Sequence, residues 1–218
     1  MPYTELSIAR HGQAWCNLEQ TIGGTATCRG LTPVGQQQAT GLAVRLAAEH
    51  SSNPITAVYT SPIRRARETA AAIADLLRSP AVVTDDLREP DYGSADGAAW
   101  TDVIAAFGAA PALHPDTPIA EGAETWHEYQ TRVHTALQRI LEDHRGQRVV
   151  IIAHGETVTA AHHFFADVTL LPMAFVVDQT ALTTWREQPV SWLRPSDGLR
   201  WALMHHNDTR HLAGNDDH

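Results

Sequence analysis

The sequence predicts an α/β protein, helices layered on a mostly parallel sheet, and three observations carry that prediction. Short apolar runs with β-branched residues alternate with longer stretches of helical period, in the order βαβα…αβα…β. From Val149 to Ala153 the chain is continuously apolar, as a central strand buried on both faces must be. Finally, several of the apolar runs end in a polar residue and then a helix start, the pattern of a strand–loop–helix unit.

The elements follow in order. Leu6-Ser7-Ile8-Ala9 is a strand that runs into the loop Arg10-His11-Gly12. Thr32 is a natural N-cap and Pro33 a natural first helical residue. Behind them Ala39, Leu42, Ala43 and Leu46 share one face of a helix that reaches about His50 and is stopped by Ser51-Ser52-Asn53-Pro54. Ile55–Tyr59 is a second strand, and after Thr60-Ser61-Pro62 a helix turns Ala66, Ala70, Ile73 and Leu77 inward. Ala81–Thr84 is a third, short strand. Residues 87–118 are irregular and rich in Gly, Pro and Ala, with a short helix at Thr101–Phe107; a stretch of this kind is expected to cover a site. Thr125 and Glu128 form a capping box for a helix that buries Val133, Leu137, Ile140 and Leu141 and ends near Gly146. The strand Arg148–Ala153 ends at His154-Gly155, a helix follows to about Phe165, and late strands fall near Ala181–Trp185 and Leu199–Met204.

No repeat or linker divides the 218 residues, so one domain over 1–218 is expected, with a frayed end at Asn215–His218. A chain of this size buries about 70% of its unfolded surface and needs no metal or disulfide staple. With 16 basic and 25 acidic residues the net charge is −9, which argues against a nucleic-acid partner. All 16 basic residues are Arg, which excludes Schiff-base or P-loop lysine chemistry. Cys16 and Cys28 have no ligand spacing, so no metal site is expected. The start of the chain lacks the regions of a signal peptide, and no apolar run approaches the roughly 18–20 residues of a membrane span. A cytoplasmic protein with reduced thiols and no membrane partner is expected.

Three strands carry ionisable residues at their carboxyl ends: Arg10-His11, Ser61 to Arg65, and His154. Ligands of open α/β sheets bind outside those ends, so the topology gathers what the sequence separates. The inventory suits a phosphoryl group. Arg offers a fork of donors that matches phosphate oxygens, a neutral His attacks phosphorus, and a second His supports the equatorial oxygens. The helix after Gly155 adds free N–H groups. Strand-end logic does not choose Arg65 over Arg64, nor Glu89 over Asp86 or Asp91.

Ordered motifs make those choices. Leu6–Gly12 with Asn17 resembles the RHG signature of the histidine phosphatase (phosphoglycerate mutase-like) superfamily. Leu31–Ala39 resembles its LTxxGxxQA helix start, Ser61–Ala70 its SPxxRAxxTA segment, and Leu87-Arg88-Glu89 with Tyr92-Gly93 its LxE…(F/Y)G element. Glu121–Thr125 with Arg132-Val133 is similar to its GES…RV helix, Ile151–Gly155 to its second histidine strand, and Asn207 with His211-Leu212 to its closing N…HL. The resemblance spans nearly the whole chain and implies a three-layer α/β/α sandwich. It implies His11 as the phosphorylated nucleophile, Arg10, Arg65 and His154 as the phosphate clamp, and Glu89 as acid and then base. Asn17 and the backbone of Gly24 would line the phosphate or substrate side. Trp15, four residues past His11, is a candidate for the substrate entrance, and Tyr92 and Gly155 complete the substrate-side set.

Two positions depart from the family pattern. Ala14 stands where a hydroxyl residue is usual, and Ser94-Ala95-Asp96-Gly97 replaces the common WEG. With no Lys, and no Arg between Glu89 and Arg132, a mutase is disfavoured and hydrolysis favoured. The expected reaction is cofactor-free release of inorganic phosphate from a small-molecule phosphate ester. The rivals are a phosphate-ligand binding protein on the same fold and a phosphoprotein (phosphohistidine) phosphatase. The exposed late strands are candidates for pairing into a homodimer. His162 is read as a core residue, His163 as outward-facing, and Arg64 and Arg67 as a solvated helix face.

Overall fold

The computed structural model describes residues 3–109, 111–169, 173–189 and 198–213. The chain runs β1 (Glu5–Arg10), α1 (Trp15–Glu19), α2 (Pro33–His50), β2 (Ile55–Thr60), α3 (Arg64–Leu77), β3 (Val82–Val83) and α4 (Trp100–Phe107). It continues with α5 (Trp126–Asp143), β4 (Arg148–Ala153), α6 (Gly155–Ala166), β5 (Leu182–Pro189) and β6 (Leu199–Asp208). The six strands form one sheet in the order β3-β2-β4-β1-β5-β6. β3, β2, β4 and β1 are mutually parallel, and β5 is antiparallel to both of its neighbours.

Alternation along the strands feeds two cores. Leu6, Ile8, Val149 and Ile151 face one way, onto Val133, Leu137 and Ile140 of α5 and Val158 and Ala161 of α6. Ala9, Val58, Val150 and Ile152 face the other way, onto Leu42, Ala43 and Leu46 of α2 and Ala70 and Ile73 of α3. Every residue of β4 is buried, which is why its sequence does not alternate. Each fully buried Leu, Ile or Val contributes roughly 1.5–3 kcal/mol relative to an exposed one. The caps stand as expected. Thr32 Oγ1 accepts the Gly35 N–H at 3.0 Å, and Thr125 and Glu128 cap α5 reciprocally at 3.2 and 2.8 Å.

Register sets the site. Arg10 pairs with Ala153 across β1 and β4, and Thr60 pairs with Ile152 across β2 and β4. The ladder extends one step beyond the strands, with His11 N–H on the Ala153 carbonyl at 2.9 Å and Ser61 N–H on that of Ile152 at 3.1 Å. The three polar strand ends therefore finish flush.

Several expectations change. The helix α1 is new. The third strand is only Val82–Val83, at the sheet edge, while both late strands run longer than expected. The segment 87–118 is more ordered than its composition suggests: it holds α4 and short 3-10 turns. It also has a small core of its own, Ile22, Tyr92 and Ala95 packed with Trp100, Val103, Ile119 and Ala120. His163 does not face out. It is buried, hydrogen-bonded to Gln130, with its ring edge-on to Trp126. His162 is in the core, stacked on Phe175 with centroids 3.9 Å apart. The segment Asn215–His218 lies outside the described residues. No helix among those described is long and apolar enough to cross a membrane.

The loop after β1 touches the start of α2 backbone to backbone. A Cβ on Gly35 would stand 2.0 Å from the Gln13 carbonyl oxygen, and one on Gly12 would stand 2.4 Å from that of Gly35. In an unconstrained helix Gly→Ala gains up to about 1 kcal/mol. Here Gly35→Ala is expected to lose about 1–3 kcal/mol, because main chain must move. Thermal unfolding checks this, at roughly 2–4 °C of Tm per kcal/mol for a chain of this length; a raised Tm would refute the constraint.

Candidate active site

Arg65 is the second residue of α3, one step of about 100° around the helix from Arg64. That step turns Arg64 into solvent and Arg65 into the protein, where it is 1% exposed. Its Nε donates to Nε2 of His11 at 2.8 Å, and Nη2 donates to Nδ1 of His154 at 3.3 Å. Nη2 also donates to the Glu89 carboxylate, and Nη1 to the Gly23 carbonyl. One guanidinium thus joins three of the residues placed by sequence on separate elements.

His11 is 2% exposed, and its Nδ1 lies 2.7 Å from the Gly12 carbonyl oxygen. A carbonyl only accepts, so Nδ1 carries the proton. Nε2 is left with a free lone pair, which accepts from Arg65. Burial holds the imidazole well below its usual pKa, and Arg65 and Arg10 push it further the same way. His154 is fully buried, with its ring centroid 5.3 Å from that of His11 and its Nε2 2.8 Å from Ser61 Oγ. Burial, then Arg65, also keep it well below the usual value.

Glu89 follows a 3-10 turn anchored by the buried Leu87. Its carboxylate oxygen is 3.6 Å from His154 Nδ1. Arg132 on α5 fixes the main chain of this turn, donating to the carbonyls of Asp86 at 2.9 Å and Arg88 at 3.2 Å. Arg132 is itself held in a fork by both oxygens of Glu124. Burial raises the Glu89 carboxyl well above the usual carboxylate range, and the neighbouring Glu156 adds to the rise against the pull of Arg65. Arg10 lies beside the start of α6: a Cβ on Gly155 would be 3.9 Å from its Nε, and its Nη1 donates to the Val177 carbonyl at 2.5 Å.

The substrate-side candidates divide. Gly155 opens α6, next to Arg10. Tyr92 is buried in the small core, its ring edge-on to Trp100. Trp15 is half-buried beneath the Arg29 guanidinium, which sits 5.2 Å from its ring centroid. Asn17 spends its amide oxygen on the Ala14 N–H at 2.9 Å. Gly24 does not present its N–H to a ligand: Asp96 accepts it at 2.8 Å, together with the Ala26 N–H at 3.0 Å. The departure at 94–97 therefore has a structural task, clamping the loop that carries Gly23. Ser61, Gly23, Arg132, Asp96 and Glu156 joined the site without a role assigned from sequence; Ser61 and Arg132 lie inside the quoted motifs, Asp96 lies in the departure at 94–97, and Gly23 and Glu156 carried no signal.

A neutral imidazole with a lone pair on Nε2, guanidiniums around it and a carboxyl held above its usual pKa by burial beside them make the inventory of a phosphoryl-transfer site at the carboxyl end of an α/β sheet. The model of the histidine phosphatase superfamily (branch 1) matches residues 6–193. Among curated proteins, phosphoglycerate mutase-like protein 4 of Arabidopsis thaliana is 32% identical over 215 residues, 96% of this chain and 87% of that protein. The metal-independent phosphoserine phosphatase of the same plant is 33% identical over 164 residues, 73% of this chain and 67% of that protein. Among solved structures, Bacillus stearothermophilus YhfR superimposes with a TM-score of 0.77 at 26% identity, covering 96% of this chain and 99% of that one. The chain belongs to the histidine phosphatase superfamily, and its class is phosphatase.

The hydrogen-bond geometry makes a spectroscopic prediction. At pH 6, near the usual histidine pKa, the 15N shifts of His11 and His154 should be those of neutral rings, His11 protonated on Nδ1. A charged His11 ring would contradict the assignment.

Proposed function

We propose that the protein is a metal-independent phosphomonoester hydrolase that works through phospho-His11 on a small-molecule substrate. The observation that carries this reading is the single guanidinium of Arg65 bonded at once to His11, His154 and Glu89. When a phosphate enters, Arg65, Arg10 and His154 take its oxygens and Arg65 releases His11 Nε2. The Nε2 lone pair attacks phosphorus as the bond to the ester oxygen breaks, and that oxygen takes the proton of Glu89. Water then attacks phosphorus, gives a proton to the Glu89 carboxylate and frees His11, releasing inorganic phosphate. Two guanidiniums supply the charge stabilisation that a metal supplies elsewhere.

Burial supports the small substrate. His11, Arg65 and His154 are each 2% exposed or less, a depth that a small phosphate ester reaches more readily than a folded phosphoprotein. The metal-independent phosphoserine phosphatase among the relatives points to the same class. A pure binding protein would not need a neutral nucleophile beside a buried carboxyl whose pKa is raised.

Two measurements test this. His11→Ala should lower phosphate release from p-nitrophenyl phosphate at least about 10³-fold, with no acid-labile phosphoenzyme trapped; wild-type turnover would sink the mechanism. Glu89→Gln should cost an alkyl phosphate about 10²–10⁴-fold and 2,4-dinitrophenyl phosphate much less, because a good leaving group needs no proton. Equal losses on both would remove Glu89 from the acid role.

A further inference from the structure

Ser61 takes part in none of the steps above, and its hydrogen bonds do not close. It stands one residue past β2 and is fully buried. Among the described residues its Oγ has two partners: the Ile63 N–H, which it accepts at 3.2 Å, and His154 Nε2, at 2.8 Å. A backbone N–H only donates, so among these groups the hydroxyl hydrogen of Ser61 has His154 as its one acceptor. The other ring nitrogen answers to Arg65, whose Nη2 donates to His154 Nδ1 at 3.3 Å. A guanidinium accepts nothing, so Nδ1 carries a lone pair. A neutral His154 then has its proton on Nε2, pointing at Ser61.

Two tautomers are open to the neutral ring, and each misplaces one hydrogen. With the proton on Nε2, Ser61 accepts it, and the Ser61 O–H is left in the interior with no acceptor among the described residues. With the proton on Nδ1, Ser61 donates to Nε2, but Nδ1–H and Arg65 Nη2–H confront each other. A buried polar group without its partner costs about 1–3 kcal/mol. The Arg65 bond selects the first arrangement. One further acceptor between Arg65 Nη2 and His154 Nδ1 reverses the balance. It takes a hydrogen from each, and Ser61 then donates to Nε2, so that every hydrogen of the group is used. An oxygen of a tetrahedral oxyanion held on the clamp is such an acceptor.

We propose that Ser61 is a positioning residue that lets His154 change tautomer in response to phosphate: with a phosphate oxygen between Arg65 Nη2 and His154 Nδ1, the ring carries its proton on Nδ1, donates it to that oxygen, and accepts the Ser61 hydroxyl at Nε2. The inference rests on the phosphate clamp of the proposed function and deepens it. The charge of the ring does not change, because Nδ1 takes a proton from solvent and Nε2 returns one. His154 thus holds phosphate as a neutral donor, in keeping with its burial beside Arg65. A hydroxyl suits this place because it both accepts and donates; a group that does only one would lock a single tautomer.

15N spectra of the wild-type enzyme at neutral pH test this. Before phosphate is added, His154 should show a protonated, pyrrole-type Nε2 and an unprotonated, pyridine-type Nδ1. At saturating inorganic phosphate the two nitrogens should exchange these signatures. An unchanged pattern at saturation overturns the proposal, and so does an imidazolium with both nitrogens protonated. Ser61→Ala should weaken inhibition by inorganic phosphate about tenfold, the effect of one buried hydrogen bond, while His11 keeps its proton on Nδ1 as in the wild type. Unchanged inhibition overturns the role of Ser61, and the wild-type spectra decide even where the variant does not fold. The two readings fail separately. A His154 that keeps its tautomer, in an enzyme that hydrolyses p-nitrophenyl phosphate, ends this proposal alone. Exchange of the signatures in a protein that turns over no phosphate ester upholds it and ends the hydrolase reading.

Discussion

A guanidinium sealed in the protein interior is the constraint on which the rest of the structure turns. Desolvating such an ion costs several kcal/mol unless every donor finds an acceptor. Arg65 places four of its five N–H donors on partners from four stretches of chain: the Gly23 carbonyl, Glu89, His11 and His154. Each partner needs support of its own. Gly23 must lack a side chain, because a Cβ there would stand 2.5 Å from Cys16 Sγ and 3.3 Å from Arg65 Nη1. Its loop is held by Asp96, and the Glu89 turn is held by Arg132 and Glu124. His154 is oriented by Ser61, one residue past the end of β2. In the mechanism proposed above, phosphate oxygens would replace some of these internal acceptors around a charge that the fold already holds in place.

Much of this was legible in the sequence because it follows from periodicity. Apolar runs located the strands, helical spacing located the inner faces of α2, α3 and α5, and the parallel order implied that polar strand ends would meet. Arg10, His11 and His154 followed from that logic with no further input. Arg65 did not, since a run of three arginines over four positions shows no preference until the helix start is fixed to the residue. Glu89 lay among several acids in a segment without period. There the resemblance to a family made the choice, and the turn before Glu89 is bonded to Arg132, on a helix that the same motif set had located.

What stayed illegible depended on contacts between distant, irregular segments. The small core of Ile22, Tyr92 and Ala95 has no period to betray it, so 87–118 looked looser than it is. Gly24 was expected to serve the ligand, yet its N–H is satisfied by a side chain 72 positions away. His163 was read as exposed because a neighbour of a core residue usually turns outward. Instead α6 is covered on both sides of that position, with Gln130 and Trp126 of α5 receiving one ring and Phe175 receiving the other.

The charge balance of the chain bears on which branch of the chemistry it performs. A net charge of −9 with no lysine leaves cation supply entirely to guanidiniums, and these are committed early. Arg132 is spent on Glu124 and the Glu89 turn, and Arg64 on Glu68. Between Glu89 and Arg132 the sequence has no Arg or Lys, so the segment expected to cover the site brings no guanidinium or ammonium toward the leaving group. Transfer between two positions of an acidic molecule requires the site to hold a second anionic group while the enzyme is phosphorylated. A segment without guanidinium or ammonium groups opposes that state, and it leaves water as the acceptor with the least electrostatic cost.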